Sequence, residues 1–153
     1  MGSSDVPNRI SKRKVALMIR NILAVFVGLI AGMFFNLALV SVSLVMYPMP
    51  EGVTFEDPEQ VATYMAGLPL LAFVIILAAH LGQAFFGGLV AAAISRTASM
   101  TVAMIVGAMS LLGGLMNMMS MPLPSWMWIE MPFYLVAAWL AGRIVTGRRV
   151  GTA

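Results

Sequence analysis

The stretch LPLLAFVIILAAHLGQAFFGGLVAAAIS, residues 68–95, decides the fold. It is long enough to cross a bilayer, because about 20 apolar residues at a rise of ~1.5 Å each cover the ~30 Å hydrocarbon core. It contains the only histidine of the chain, His80, together with Gln83 and the adjacent pair Gly87 and Gly88. The stretch therefore predicts a membrane-spanning helix that carries a titratable side chain at mid-depth.

The composition indicates that lipid is the solvent for most of the chain. Of its 153 residues, 61% are hydrophobic and only 10% are charged, which is too few charges for the surface of a soluble domain. There is no cysteine, which excludes disulfides and thiolate ligands. The net charge of +3 does not indicate nucleic-acid binding, because the placement of the basic residues is explained by the orientation of the chain in the membrane. We predict one transmembrane domain, residues 1–153, whose main partner is the lipid bilayer.

Three further apolar stretches predict an all-α, four-helix membrane bundle. The predicted order is a flexible tail (1–11), a first span (about 17–47), an external loop (48–67) and three more spans (about 69–95, 100–119 and 126–146). The first apolar run is longer than the 7–15 residues of a signal-peptide core, which favours an uncleaved anchor. The fourth span is short unless it begins near Trp126 with a kink at Pro132, or continues towards Val150.

The external loop carries the signature of a short helix. Asp57, Pro58 and Gln60 suit the N-cap, N1 and N3 positions, and Gly67 suits the end of the helix. We predict an amphipathic surface helix at about residues 58–66, with Val61, Tyr64 and Met65 turned towards lipid or the ends of the spans.

The charges predict the orientation. With four spans, all nine basic residues lie on one side, and five of the six acidic residues lie on the other. Short basic loops resist translocation, so the basic side is cytoplasmic and both termini lie there. The basic residues are Arg9, Lys12, Arg13, Lys14, Arg20, Arg96, Arg143, Arg148 and Arg149, and the five acidic ones are Glu51, Glu56, Asp57, Glu59 and Glu130.

Small residues recur at helical spacing in the first and third spans. Such stripes let two helix backbones approach closely. We predict helix packing at Gly28, Gly32, Gly87, Gly88, Gly107 and Gly114.

Polar side chains concentrate in the outer half of the predicted bundle. His80 is about 16 Å from Pro69 along the helix, Asn36 lies at similar depth, and Asn117 and Glu130 are predicted nearer the outer surface. The candidate binding cluster is His80, Asn36, Gln83, Asn117 and Glu130. It has two interpretations, because intramembrane polar groups face either the bundle or a water-filled cavity.

The first interpretation is an outward-facing polar pocket or a proton-responsive histidine. The second, which we favour from sequence alone, is a neutral His80 hydrogen-bonded to Asn36, Gln83 or a carbonyl. We expect no acid at its depth, and we expect Glu130 to be interfacial and hydrated.

Neither metal nor enzyme chemistry is indicated. The methionine-rich residues 116–121 suggest Cu(I), but no cysteine and no second histidine complete a site, so we predict no metal and no cofactor. The sequence holds no phosphate-binding glycine loop, no GxSxG and no HExxH. We therefore predict a protein that is not an enzyme.

Three short motifs carry a resemblance to known proteins. They are Pro50-Glu51-Gly52-Val53, Ala79-His80-Leu81-Gly82 followed by Gly87-Gly88, and Gly113-Gly114-Leu115-Met116-Asn117 before Leu123-Pro124-Ser125-Trp126. On these motifs the chain, over most of residues 20–145, resembles small bacterial four-span integral membrane proteins of unknown function. The resemblance implies the four-span layout and a bacterial cytoplasmic membrane, and it supplies no activity.

Two functions follow from these observations. The leading expectation is a structural or accessory subunit that packs with itself or with a larger membrane complex, since the glycine stripes exceed what one bundle is expected to use. The alternative is a small transporter or channel with an outward-facing polar pocket around His80.

Overall fold

The computed structural model describes the backbone of residues 5–150, and every regular element within that range is helical. In chain order the elements are α1 (Asp5–Met46), α2 (Pro58–Ala66), α3 (Leu70–Ile94), α4 (Ser99–Ser120), a 3-10 helix (Ser125–Ile129) and α5 (Glu130–Val150). The predicted all-α class is confirmed. Four segments are long and apolar enough to cross a membrane: Arg9–Met46, Leu70–Ile94, Ser99–Ser120 and Ser125–Arg149.

The first helix begins earlier than the sequence indicated. Helical backbone starts at Asp5, whereas a flexible tail was predicted through residue 11; residues 1–4 lie outside the described range. Pro7 falls in the first turn, where its missing N–H removes no intrahelical hydrogen bond. No glycine follows until Gly28, so nothing ends the helix before the apolar run begins.

The last span is lengthened at both ends, by an earlier start and by continuation to Val150. A 3-10 helix, Ser125–Ile129, leads directly into α5, which continues to Val150. Pro132 therefore lies in the first turn of α5, where proline is tolerated, and not at a kink in mid-helix.

Helix α3 is the central element, since it packs against α1, α4 and α5. Its buried positions are mostly alanine and glycine, which bring the neighbouring backbones close. A Cβ atom added to Gly28 of α1 would lie 2.6 Å from the carbonyl oxygen of Gly87, and one added to Gly32 would lie 2.5 Å from that of Gln83. At Gly88 a Cβ would make ordinary contact with Ala141, at 3.4 Å.

Helices α4 and α5 meet in the same way. A Cβ on Gly107 would lie 2.4 Å from the Cβ of Ala138, and one on Gly114 would lie 2.3 Å from the hydroxyl oxygen of Tyr134. The six glycines singled out from the sequence therefore all face another helix of this same chain.

The short helix α2 covers one end of the molecule. Its range equals the predicted one, and the Asp57 carboxylate accepts hydrogen bonds from the N–H groups of Glu59 and Gln60 at 3.0 and 3.2 Å. Val61 and Met65 are buried in an apolar cluster that also contains Phe73, Met118 and Met127. We call this end, which carries α2, the outer end.

Arginines hold the opposite end of α3. Arg20 donates from Nε to the carbonyl of Ile94 at 2.9 Å, and Arg149 donates to the carbonyl of Ser95 at 2.7 Å and to the Ser99 hydroxyl at 2.6 Å. Cations suit a helix C-terminus, where carbonyl groups lack intrahelical donors. We call this end the inner end.

Candidate functional site

A buried imidazole–carboxylate pair lies between α3 and α5. His80 Nδ1 is 3.1 and 3.2 Å from the two carboxylate oxygens of Glu130, and the hydroxyl of Tyr134 donates to Oε1 at 3.2 Å. Glu130 is 0% exposed, and the His80 side chain is 13% exposed. We call these three residues the His80–Glu130–Tyr134 cluster.

Local structure explains how α5 supplies two of the three groups. Glu130 opens the helix and Tyr134 follows one turn later, so both side chains lie on the same face. Gly114 of α4 leaves the space that the Tyr134 phenol occupies. Burying an ionisable pair costs free energy of desolvation unless its hydrogen bonds are satisfied. Here the Glu130 carboxylate is hydrogen-bonded to both the His80 imidazole and the Tyr134 phenol.

Two sequence predictions about this region are wrong. Glu130 is not interfacial and hydrated, and His80 does have an acid at its own depth. The prediction counted depth along straight helices, whereas the 3-10 helix turns inward. Its Met127 is buried in the same cluster as α2, which brings the next helix start, Glu130, inside the protein.

The predicted amide partners of His80 line a cavity beside it. The hydrogen bonds of His80 go to Glu130, not to Asn36 or Gln83. The middle cavity has a volume of about 300 Å³ and lies between α1, α3, α4 and α5. Its lining is Met33, Asn36, His80, Gln83, Ser110, Gly113, Gly114, Asn117 and Tyr134.

Ser110 gives the middle cavity an unused polar group. Its side chain is 2% exposed, and its hydroxyl has no hydrogen-bond partner among the described residues. Buried polar groups are nearly always hydrogen-bonded to protein or to ordered water. The hydroxyl therefore offers an unused donor and acceptor to the middle cavity. In the sequence, Ser110 lies three residues after Gly107 and four before Gly114, within the stripe of small residues in the third span. Tyr134 was not predicted to take part in the site, although its position four residues after Glu130 was a usable signal.

A second cavity continues towards the outer end. This outer cavity has a volume of about 120 Å³, and His80 and Asn117 line it as well as the middle cavity. Tyr64 and Leu68 also line it, and they in turn line an open vestibule of about 710 Å³ beneath the external loop. The vestibule is larger than the outer and middle cavities but is lined by none of the three cluster residues, so we regard it as an approach to the site.

A third depression lies towards the inner end. This inner groove, of about 420 Å³, runs between α1 and α4 from Lys14 to Ile105, with Asn21 and Thr101 among its walls. An apolar cluster adjoins this groove: Ala91, Val102 and Val106, with Val25 and Leu29 packed against them. Val25 and Val102 are also walls of the groove, and none of the five lines the middle cavity. We call these five residues the apolar seal.

The described residues contain no group of three or more His, Cys, Asp or Glu side chains that could hold a metal. The methionine-rich residues 116–121 do not converge, because Met116 and Met119 are 70% and 76% exposed while Met118 is in the core.

Comparison of the chain with protein-family models, curated proteins and solved structures finds no match.

Proposed function

We propose that this chain is a small, non-enzymatic transporter or channel of a bacterial cytoplasmic membrane, with both termini in the cytoplasm. The observation that carries the proposal is a row of cavities along α1 and α4. The vestibule, outer cavity, middle cavity and inner groove follow one another from α2 to Lys14. The first three share lining residues, and the apolar seal adjoins the inner groove, which is the arrangement that a closed solute pathway requires.

The polar groups of the row support this proposal. Ionisable residues within a membrane face a pathway or a partner as a rule, and here His80 lies at the junction of two cavities. Carboxamides of Asn36, Gln83 and Asn117 and the unpartnered Ser110 hydroxyl offer donors and acceptors to a solute. The apolar seal corresponds to a hydrophobic constriction, a recognised means of closing a pore.

The orientation follows from charge. Arg20, Arg96 and Arg149 lie at the inner end, while Glu56 and Glu59 accompany α2 at the outer end. Because positive loops stay in the cytoplasm, the vestibule opens away from it.

The expectation of an accessory subunit loses its main support. It rested on glycine stripes left over for a partner, yet Gly28, Gly32, Gly107 and Gly114 each meet a helix of the same chain. The stripes are used in folding the chain and do not call for a second protein.

Accessibility of one position from the two sides of the membrane tests the proposal. The chain has no cysteine, so Ser110→Cys introduces a single thiol of nearly the same size as the serine. Ala103→Cys is the matched control, since Ala103 is on the same helix, fully buried and absent from every cavity described above. The reagent is a small, membrane-impermeant thiosulfonate.

We expect the thiol at position 110 to react from outside intact cells and, more slowly, from the cytoplasmic side in inverted vesicles. The thiol at position 103 should react from neither. Reaction at position 110 from the outside alone would indicate a binding site without transport and would overturn the proposal. Absence of reaction from both sides would overturn it as well.

A further inference from the structure

Glu130 has no access of its own to the cavities. It is 0% exposed, and it lines neither the outer nor the middle cavity. A carboxylate in such a place exchanges a proton with water only through a neighbour that both bonds to it and reaches water. Among residues 5–150, the side chains that hydrogen-bond to Glu130 are those of His80 and Tyr134.

The two neighbours differ in what they can do with a proton. An imidazole accepts a proton at one nitrogen and releases another from the second nitrogen. The Tyr134 phenol donates its only proton to Glu130, and passing that proton on would leave a buried phenolate. His80 also lines both cavities, whereas Tyr134 lines only the middle one.

We propose that His80 relays protons between the cavities and Glu130, and that Glu130 is the proton-binding group of the pathway. A proton from cavity water adds to His80 Nε2. The Nδ1–H bond then breaks as its proton forms an O–H bond with the Glu130 carboxylate. The imidazole is again neutral and carries on Nε2 the proton that came from water, while its former Nδ1 proton is now on Glu130, so the net gain is one proton on Glu130.

The described side chains around the His80–Glu130 pair offer no other base that could carry the proton to Glu130. Helix α5 contributes Glu130 and Tyr134, and α2 contributes Tyr64 at the outer cavity. Helices α1 and α4 present the uncharged Asn36, Ser110 and Asn117 to the two cavities. Among the described residues that line these cavities, His80 is the one side chain that becomes positively charged on binding a proton.

Infrared difference spectroscopy after a drop in pH measures the proton on Glu130 directly, using the full chain in liposomes. The protonated-carboxyl band should appear in the parent protein and be absent from Glu130→Gln. His80→Gln keeps an amide donor but cannot bind and release protons. The band should therefore appear about a hundredfold more slowly in this variant, as expected for loss of a positioned acid–base group. Val136→Ala, at an exposed position of α5 that lines neither cavity, should leave the rate within about twofold of the parent.

Two further measurements do not depend on how well His80→Gln folds. Added imidazole should restore fast uptake to His80→Ala, which a merely structural role would not allow. Nitrogen NMR of His80 in the parent should show the ring proton on Nδ1 before Glu130 is protonated and on Nε2 afterwards. A ring tautomer that stays fixed, an uptake rate in His80→Gln equal to that of the parent, or no Glu130 band at any pH would overturn the relay.

The relay depends on the proposed function in one respect only: water must be able to enter the cavities. Reaction of the position-110 thiol from the outside alone would remove transport and leave the relay intact. Reaction from both sides with uptake independent of His80 would remove the relay and leave the pathway.

Discussion

Gly114 and Tyr134 fit together so closely that a Cβ atom on the glycine would lie 2.3 Å from the phenol oxygen and 2.6 Å from Cζ. The same phenol donates to Glu130. The absence of a side chain at position 114 is therefore a condition for the third member of the buried cluster to reach its partner.

Gly114→Ala should displace Tyr134 and destabilise the protein by about 1–3 kcal/mol, the usual range for overpacking a filled interior. Gly113→Ala is the matched control, because a Cβ there meets nothing within 4 Å. The control should be neutral or stabilising by up to about 1 kcal/mol, since alanine favours a helix over glycine. Thermal unfolding in detergent compares the two, and equal melting temperatures would contradict the close fit.

The contact between α1 and α3 gives a second matched pair. A Cβ on Gly28 would lie 2.6 Å from the backbone oxygen of Gly87, and a backbone atom cannot move aside as a side chain can. Gly28→Ala should lower the melting temperature of the single chain, whereas Gly147→Ala, with open space around it, should not. A Gly28→Ala protein that melts like the parent and changes only its oligomeric state would show that the stripe serves a partner.

Topology is testable with the same cysteine-free background. Glu56 and Ser125 are exposed at the outer end, and Thr97 is exposed in the turn between α3 and α4. Thiols at positions 56 and 125 should react with an impermeant reagent from outside intact cells, because the orientation proposed from the basic residues puts that end outside. A thiol at position 97 should react only in inverted vesicles. Reaction at position 97 from outside would refute the orientation.

The external loop has its own pH dependence. Tyr64 donates to the carbonyl of Tyr47 at 2.6 Å, and partial burial raises the pKa of Tyr64 above its ordinary value of 10.0. A raised phenol pKa means that its stabilising contribution is complete below pH 10.0 and is lost only as the pH rises through the higher folded value. The protection factors of the α2 amides, which correct for the base-catalysed rise of the intrinsic exchange rate, should therefore be constant up to pH 10.0 and fall above it.

Tyr64→Phe is the control for that experiment. It lacks the hydroxyl, so its α2 should exchange faster at neutral pH and show no further acceleration due to Tyr64. A fall in the protection factors of the parent α2 well below pH 10.0 would contradict the assignment.

The helices were predictable from sequence because their signals are local. Residues 70–94 are apolar over the length of a bilayer, and Asp57 followed by Pro58 defines the start of α2 within a few residues. The glycine spacing of four residues also identifies a helix face without any knowledge of the partner.

The cluster was not predictable because its members meet only in the folded chain. His80 and Glu130 are 50 residues apart, and their contact depends on the inward turn of the 3-10 helix. Counting depth along a straight span put Glu130 near the surface, since no sequence signal marks a short 3-10 segment ahead of a helix. The hydrogen bond from Arg149 to Ser95 is likewise set by how α5 packs on α3.

The central claim is that the cavities form one pathway, which the apolar seal closes. The labelling rate of the Ser110→Cys thiol from the cytoplasmic side tests this claim most directly. Val106 is fully buried in the seal, and Val136 is a valine of α5 that is 46% exposed and lines none of the cavities. Val106→Ala should raise the cytoplasmic rate several-fold and leave the outside rate unchanged, because removing two methyl groups opens the constriction, whereas Val136→Ala should change neither. Identical cytoplasmic rates in the parent and Val106→Ala backgrounds would contradict the pathway.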